Sequence, residues 1–249
     1  MFMVGGELAR TTGPLIAVGL VSSLGLHGLW RVVPVAVAAS LVIWWRLAGL
    51  PSHVPTERQP TLLVLWRRMR RVLLGVTGIL VARAFMAAAL TTFLPTFIYG
   101  EGHGLWLANI SLSVLELCGA VGAFTSGTLS DRLGRRWILF GAVGLAPPLL
   151  LLFVFSGGMA RLFLLAVLGF VALSTMPVLM TVVIENSGAS PAAATGTLMM
   201  VSFAVRGLII LVVGAMGDAF GLRTAFLSCA GLATLGLPFI LLLPRDADD

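Results

Sequence analysis

The chain has 249 residues, of which 59% are hydrophobic and only 10% are charged, whereas a soluble domain carries about 25% charged residues. Its mean hydropathy of +1.06 excludes an ordinary soluble protein and indicates a membrane protein. All sixteen basic residues are arginine, and the net charge of +6 does not predict a nucleic-acid partner, because arginines beside membrane spans set topology.

Eight apolar runs are long enough to predict membrane-spanning helices, since a bilayer core requires roughly 20 apolar residues. The second run is the weakest, because Arg31 and Arg46 enclose a short uncharged stretch. Together the runs predict an all-α, polytopic membrane fold. In chain order they lie at residues 4–26, 32–50, 72–98, 105–129, 137–156, 161–184, 194–217 and 222–243.

The arginines of the predicted loops orient the chain, because cytoplasmic loops carry an excess of positive charge. Eight spans put both termini on one side, and most of the loop arginines fall on that side. We therefore expect a multi-pass protein of the cell (inner) membrane with both termini in the cytoplasm. The arginines on the terminal side are Arg46, Arg58, Arg67, Arg68, Arg70, Arg71, Arg132, Arg135, Arg136 and Arg245, against Arg31, Arg161 and Arg223 on the other.

The segment GTLSDRLGRR, residues 127–136, concentrates charge between the fourth and fifth predicted spans. By itself it predicts a short cytoplasmic turn, in which glycine permits a tight backbone and arginines reach helix C-terminal carbonyls or phosphates. The pattern G-x-L-x-D-R-x-G-R-R also resembles the loop signature of the major facilitator superfamily. That resemblance implies a cytoplasmic gating motif, which latches the two halves of the transporter together, at Gly127, Asp131, Arg132, Gly134, Arg135 and Arg136.

The resemblance implies a twelve-helix transporter of two six-helix halves, with a substrate site near the midplane between them. In that family the signature follows the second and eighth helices, and here it follows the second of the last six spans. The chain is thus expected to hold the equivalents of helices five to twelve. The expected divisions are the last two helices of the N-terminal half (1–50), a basic cytoplasmic central loop (51–71), the six-helix C-terminal half (72–243) and a cytoplasmic tail (244–249).

Further stretches resemble fosmidomycin-resistance-type efflux proteins within the superfamily, namely residues 3–17, 82–97, 141–152 and the region of Glu185. This second resemblance implies a secondary active transporter that couples the efflux of small drugs to protons, with anionic molecules such as phosphonates among its substrates. The alternative is a truncated or split-gene membrane fragment without independent transport activity. In a split transporter, a separate chain would supply the four missing helices.

Three ionisable residues, Arg83, Glu116 and Arg206, lie near the middle of predicted spans, where a charge costs a few kcal/mol unless it is paired or hydrated. Glu116 either neutralises an arginine in a structural pair or carries the coupled proton. Arg83 and Arg206 are candidates for binding an anionic substrate, because a guanidinium donates two parallel hydrogen bonds to a phosphonate or carboxylate. Asn109 joins them as a candidate, since it shares a helical face with Glu116.

The remaining features predict neither an enzyme nor a cofactor or metal site. The three histidines lack a second ligand at metal spacing, and no nucleophile motif or pair of midplane carboxylates is present. Gly119, Ala123 and Gly127 follow a small-xxx-small spacing that predicts close helix packing. The expected partners are the lipid bilayer, a small-molecule substrate and protons, without a nucleic acid.

Overall fold

The computed structural model of the chain describes residues 12–13, 16–17, 19–48, 62–188 and 190–243. Within these ranges the backbone is helical apart from short turns and contains no strand, which confirms the predicted all-α fold. A π-helical segment covers Ala88–Phe93, and 3-10 turns cover Leu26–Val32 and Thr234–Gly236. The α-helices are α1 (Val33–Leu47), α2 (Leu62–Ala87), α3 (Leu94–Gly100), α4 (Leu105–Leu133), α5 (Arg135–Phe155), α6 (Gly158–Leu173), α7 (Thr175–Asn186), α8 (Pro191–Phe220), α9 (Leu222–Ala233) and α10 (Leu237–Ile240).

Six helical spans among the described residues are long and apolar enough to cross a membrane, so the chain is a multi-pass membrane protein. They agree with the last six predicted spans to within a few residues. We call them together the six-span unit. Its spans are Arg70–Gly100, Leu105–Leu133, Arg135–Phe155, Gly158–Asn186, Pro191–Phe220 and Leu222–Ile240.

The first two of the eight predicted spans differ from the other six. The described part of residues 12–24 is helical, and the rest of the first span lies outside the described residues. The second corresponds to α1, whose 15 residues are fewer than the roughly 20 that a spanning helix needs. Six spans, rather than eight, are therefore found in the part of the chain that the structure describes.

The predicted central loop, residues 51–71, is also shorter than expected. Residues 51–61 lie outside the described residues, whereas Leu62 is already the first residue of α2. The arginines at 70 and 71 therefore lie on a helix that continues into the first membrane span. Both of these arginine side chains are exposed.

Single glycines reverse the chain between neighbouring spans of the six-span unit. Gly134 separates α4 from α5 with φ of +86°, and Gly221 separates α8 from α9 with φ of +83°. This left-handed region is readily adopted only by glycine, so each turn is completed within one residue. Pro147 and Pro148 lie inside α5, as membrane helices tolerate when neighbouring groups satisfy the freed carbonyls.

Helices α4 and α6 are in direct backbone contact. A Cβ added to Gly122 would lie 2.2 Å from the carbonyl oxygen of Phe170, and one added to Gly169 would lie 2.1 Å from that of Leu115. Small residues thus let the two backbones touch. Of the small-residue series read from the sequence, Gly119 packs on Leu173 in this contact, whereas Gly127 has open space beside it.

Two clusters of buried apolar side chains fill the six-span unit. The first surrounds the π-helical segment and the aromatic rings of Phe153 and Phe226, and the second surrounds Ile79 and Leu139. Helix α8 is the least enclosed, because only 17% of its apolar window is buried, against 72% for the span Arg70–Gly100. One long side of α8 is therefore left to lipid, water or further helices.

Candidate functional site

The signature segment is mostly helix rather than loop. Gly127 to Leu133 form the last two turns of α4, and Arg135 and Arg136 open α5. The expectation of a turn across the whole decapeptide is therefore wrong, since Gly134 by itself reverses the chain. This arrangement places the carboxylate of Asp131 near the end of α4 and the guanidinium of Arg135 at the start of α5.

Arg135 joins three helices through two carboxylates. Its guanidinium forms an ion pair with Glu185 near the end of α7, and its Nη2 lies 3.5 Å from Asp131 Oδ1 on α4. Asp131 is 65% exposed, whereas Glu185 is 44% exposed and Arg135 only 20%. Glu185 thus combines an ion pair with partial exposure to solvent.

Arg136 contacts the C-terminal residues of the six-span unit. Its Nη2 donates hydrogen bonds to the carbonyl oxygen of Leu241 at 3.0 Å and to that of Ile240 at 3.5 Å. These carbonyls belong to the last residue of α10 and the residue after it, where a cation satisfies acceptors that have no intrahelical donor. Arg132, by contrast, is exposed at the end of α4.

Arg206 lies near the middle of α8 and is half-buried. Its Nη2 donates a hydrogen bond to Thr91 Oγ1 at 3.1 Å, and Thr91 in turn donates to the carbonyl oxygen of Ala87 at 2.7 Å. Thr91 belongs to the π-helical segment, a local widening that is frequent at functional sites. Among the described residues no carboxylate lies within 4.0 Å of the Arg206 guanidinium.

Arg83 lies on α2 and points into the six-span unit. Its Nε donates a hydrogen bond of 2.9 Å to Thr175 Oγ1, at the first residue of α7. The guanidinium also lines a small pocket whose other walls come mainly from alanines of α2, α5, α6 and α9. Arg83 and Arg206 are therefore held by threonines on different helices.

Glu116 and Asn109 both lie on α4 but in different surroundings. Glu116 is 7% exposed and belongs to the buried part of the helix. Asn109 turns back on its own helix, where its Nδ2 donates to the carbonyl oxygen of Leu105 at 2.9 Å. The helical face that Glu116 and Asn109 were expected to share thus carries a buried carboxylate and an amide that is hydrogen-bonded to the backbone of its own helix.

A third ion pair lies at the opposite end of the six-span unit from the signature. Arg161, at the start of α6, pairs with Glu101 after α3. Its guanidinium carbon also lies 5.6 Å from the centroid of Phe97 and 5.2 Å from that of Phe153. The loop position of Arg161 predicts only a charge that sets topology, although an acid and aromatic residues at neighbouring helix ends are a recognisable signal for such a cluster.

No group of three or more histidine, cysteine, aspartate or glutamate side chains suited to a metal ion occurs in the described ranges. The charged groups that the structure does gather are arginines with hydroxyls, backbone carbonyls, aromatic rings or one or two carboxylates. These groups can bind anions and form ion pairs that connect helices.

Comparison with known proteins agrees with this architecture. The sequence profile of the Major Facilitator Superfamily matches residues 1–209. The chain is 25% identical over 255 residues to the "Uncharacterized MFS-type transporter YfnC" of Bacillus subtilis (strain 168), covering 99% of this chain and 62% of that protein. It is 23% identical over 253 residues to the fosmidomycin resistance protein of Escherichia coli (strain K12), covering 97% and 61%. The chain therefore spans about three fifths of the length of these relatives.

The fold is also similar to a solved transporter structure. The crystal structure of FucP, a Major Facilitator Superfamily transporter in the outward conformation, aligns with a TM-score of 0.65 at 19% sequence identity. The alignment covers 85% of this chain and 53% of that one. At this identity the likeness concerns the fold alone.

Proposed function

The chain belongs to the Major Facilitator Superfamily, and from that membership we propose that it is the C-terminal portion of a secondary active transporter. The proposed activity is proton-coupled efflux of small drugs, with anionic molecules such as phosphonates among the substrates. A fosmidomycin resistance protein among the relatives supports the efflux of drugs. The charges inside the spans support the anionic substrate and the coupling.

The observation that carries the proposal is the position of Arg206. A charge in the middle of a membrane span costs about 3 kcal/mol when lipid surrounds it, and a threonine hydroxyl does not neutralise it. Its helix, α8, is also the least enclosed of the six spans. Arg206 is best accommodated where α8 borders a hydrated crevice, and there its fork of donors attracts an anionic substrate.

Arg83 and Asn109 are the further candidates for substrate binding. Arg83 supplies a second cation inside the six-span unit, fixed in orientation by its bond to Thr175. Asn109 lies near the first turn of α4, where its amide oxygen remains available to a polar substrate. Two arginines and one amide give the substrate site an excess of positive charge.

Glu116 is the proposed proton carrier. Its carboxyl group is buried on α4, where a change of ionisation state alters the charge inside the span and therefore the local contacts. A group of this kind couples proton binding to the packing of a helix. Asp218, an exposed carboxylate on α8, provides a matched control.

The signature residues form the proposed cytoplasmic gate. Asp131, Arg135 and Glu185 connect α4, α5 and α7, while Arg136 holds the end of α10. We propose that this surface faces the cytoplasm in the inner membrane and that the six-helix half is residues 72–243. With the two further spans that the sequence predicts before residue 51, both termini are cytoplasmic.

Transport in inside-out membrane vesicles from cells that produce the chain tests the proposal. We expect a pH gradient to drive accumulation of a labelled phosphonate, with loss of this coupling in Glu116→Gln and normal coupling in Asp218→Asn. We expect Arg206→Gln and Arg83→Ala to weaken transport of anions more than of cations. Unchanged coupling in Glu116→Gln, or an equal loss for cations and anions, would refute the corresponding assignment.

A second candidate function is a membrane fragment without independent transport activity. It is favoured by α1, because every side chain from Trp30 to Arg46 is exposed and is not covered by the described part of the chain. Another protein segment would cover this helix in a complete transporter. The purified chain in liposomes discriminates the two cases: transport there excludes the inert fragment, whereas transport in vesicles but not in liposomes indicates a separate chain.

A further inference from the structure

Arg70 and Arg71 lie at the start of the first membrane span, and both side chains are exposed. Arg67 and Arg68 occupy the preceding turn of the same helix, α2. Among the described residues no carboxylate lies within 4.0 Å of the guanidinium of Arg70 or Arg71. The proposed gate and the proposed substrate site use neither of them. The start of α2 therefore carries positive charge for which the described part of the chain supplies no counter-ion.

The position of these arginines along the span corresponds to a layer of lipid headgroups. The span Arg70–Gly100 contains 31 residues, which is about 45 Å at 1.5 Å per residue and matches the roughly 40–45 Å of a bilayer with both headgroup layers. Tyr99, at the other end of the span, is 60% exposed, as is typical of an aromatic residue at a membrane interface. Arg70 and Arg71 thus lie at the depth of the phosphate groups in the opposite leaflet.

Exposed leucines continue from these arginines toward the membrane core. Leu74 lies one turn after Arg70 on the same face of α2, about 6 Å deeper, and is 49% exposed. Its neighbour Gly75 packs against the end of the six-span unit, where an added Cβ would lie 3.3 Å from Leu242 Cβ. Leu242 is itself 48% exposed. We call Arg70, Arg71, Leu74 and Leu242 the arginine–leucine surface.

The arginine–leucine surface lies at the same end of the six-span unit as the signature. Arg136 donates hydrogen bonds to the carbonyl oxygens of Ile240 and Leu241. Leu242, the next residue, packs against α2 at Gly75. With the signature at the proposed cytoplasmic gate, this surface faces the inner leaflet.

We propose that the arginine–leucine surface binds one anionic diacyl phospholipid. Arg70 and Arg71 bind its phosphate group, because a guanidinium donates two parallel hydrogen bonds to phosphate oxygens and clusters of about four to eight basic residues beside a membrane span attract anionic lipids. Leu74 and Leu242 contact the first part of an acyl chain. They favour a lipid over a free phosphate ion, since only the lipid buries apolar surface there. This site is independent of the proposed transport function.

Thermal unfolding of the purified full chain in a nonionic detergent tests the site, with phosphatidylglycerol or phosphatidylcholine of the same acyl chains added. A ligand that binds the folded state raises the unfolding midpoint with its concentration. We expect phosphatidylglycerol to raise the midpoint saturably, and we expect little effect of phosphatidylcholine or of inorganic phosphate at the same ionic strength. An equal rise with phosphatidylcholine, or the same rise with phosphate alone, would overturn the site.

Arg70→Gln and Arg71→Gln each remove one charge at an exposed position. We expect each variant to weaken phosphatidylglycerol binding about fivefold and the double variant about thirtyfold, as for basic residues at an anionic membrane surface. The matched control is Arg132→Gln, at an exposed arginine of the signature end on α4, which should change binding by less than about twofold. An equal loss in Arg132→Gln would indicate diffuse attraction to all the arginines of this end and would contradict a defined site.

Leu74→Ser keeps both arginines and removes part of the apolar contact. We expect it to weaken phosphatidylglycerol binding about fivefold, the effect of losing about half of a leucine's burial. Its control is Leu145→Ser, because Leu145 is 55% exposed but lies near the middle of α5, and we expect unchanged binding there. Equal binding in Leu74→Ser and the wild type would show that only headgroup charge is bound and would refute the acyl-chain contact.

Discussion

Arg135 and Glu185 form an ion pair that joins the first turn of α5 to the end of α7. A double-mutant cycle of Arg135→Ala and Glu185→Gln, read by the free energy of unfolding, should give a coupling energy of about 1 kcal/mol, as for partly exposed pairs. Asp131→Asn should cost less, because Asp131 is more exposed and its contact with Arg135 is longer. A larger loss in Asp131→Asn than in Glu185→Gln would contradict this network.

The contact between α4 and α6 predicts that the effect of a glycine-to-alanine substitution on stability depends on whether the glycine lies in this contact. Gly122→Ala and Gly169→Ala place a methyl group against a backbone carbonyl, and we expect each to destabilise the protein by about 2 kcal/mol through overpacking. Gly127→Ala on the same helix meets open space and should be neutral or stabilise by about 0.5 kcal/mol. Thermal unfolding in detergent measures all three.

Similar midpoints for all three glycine variants would show that α4 and α6 are not in backbone contact. A decrease for Gly127→Ala alone would place the close packing at the signature end of α4 instead. Either result would require a different arrangement of the second and fourth spans of the six-span unit.

Arg161 is expected to stabilise the end of the six-span unit opposite the signature. Its side chain is 11% exposed, and its guanidinium pairs with Glu101 and lies over two phenylalanine rings. We expect Arg161→Ala to lower the free energy of unfolding by about 2 kcal/mol, because it removes contacts with two aromatic rings and an ion pair with an exposed carboxylate. Arg161→Lys should lose about 1 kcal/mol, since lysine keeps the charge but not the planar stacking.

Arg223 provides the matched control for that cluster. It also lies over a phenylalanine, with its guanidinium carbon 5.2 Å from the ring of Phe155, but it is exposed. Arg223→Ala should therefore cost less than about 1 kcal/mol. Equal losses in Arg161→Ala and Arg223→Ala would mean that the pair with Glu101 contributes nothing.

The sequence predicts the membrane spans well because burial in lipid imposes a minimum apolar length on each helix. All six spans after residue 70 are found close to their predicted positions. The Asp131 to Arg136 pattern likewise identifies the family, since its spacing is specific. The extent of the helices around Gly134 was not predictable, because hydropathy does not distinguish a charged helix end from a charged loop.

Helical periodicity does not predict which residues form hydrogen bonds or ion pairs with the charged side chains. Arg83 and Arg206 were predicted from their depth in the spans, whereas the partners of their hydrogen bonds, Thr175 and Thr91, lie on other elements. The Arg135 contact with Glu185 likewise joins residues far apart in the chain. Such contacts depend on how helices pack, which a periodic pattern leaves open.

The accessibility of position 206 tests most directly whether the central arginine of α8 borders a hydrated crevice. In a background with Cys118→Ala and Cys229→Ala, Arg206→Cys is treated with an anionic, membrane-impermeant thiol reagent in inside-out vesicles. The control is Leu208→Cys, because Leu208 is 63% exposed and lies on the opposite side of the helix at nearly the same depth. We predict labelling at 206 about tenfold faster than at 208, since a thiol ionises and reacts in water but not in lipid. Equal rates, or faster labelling at 208, would contradict the account.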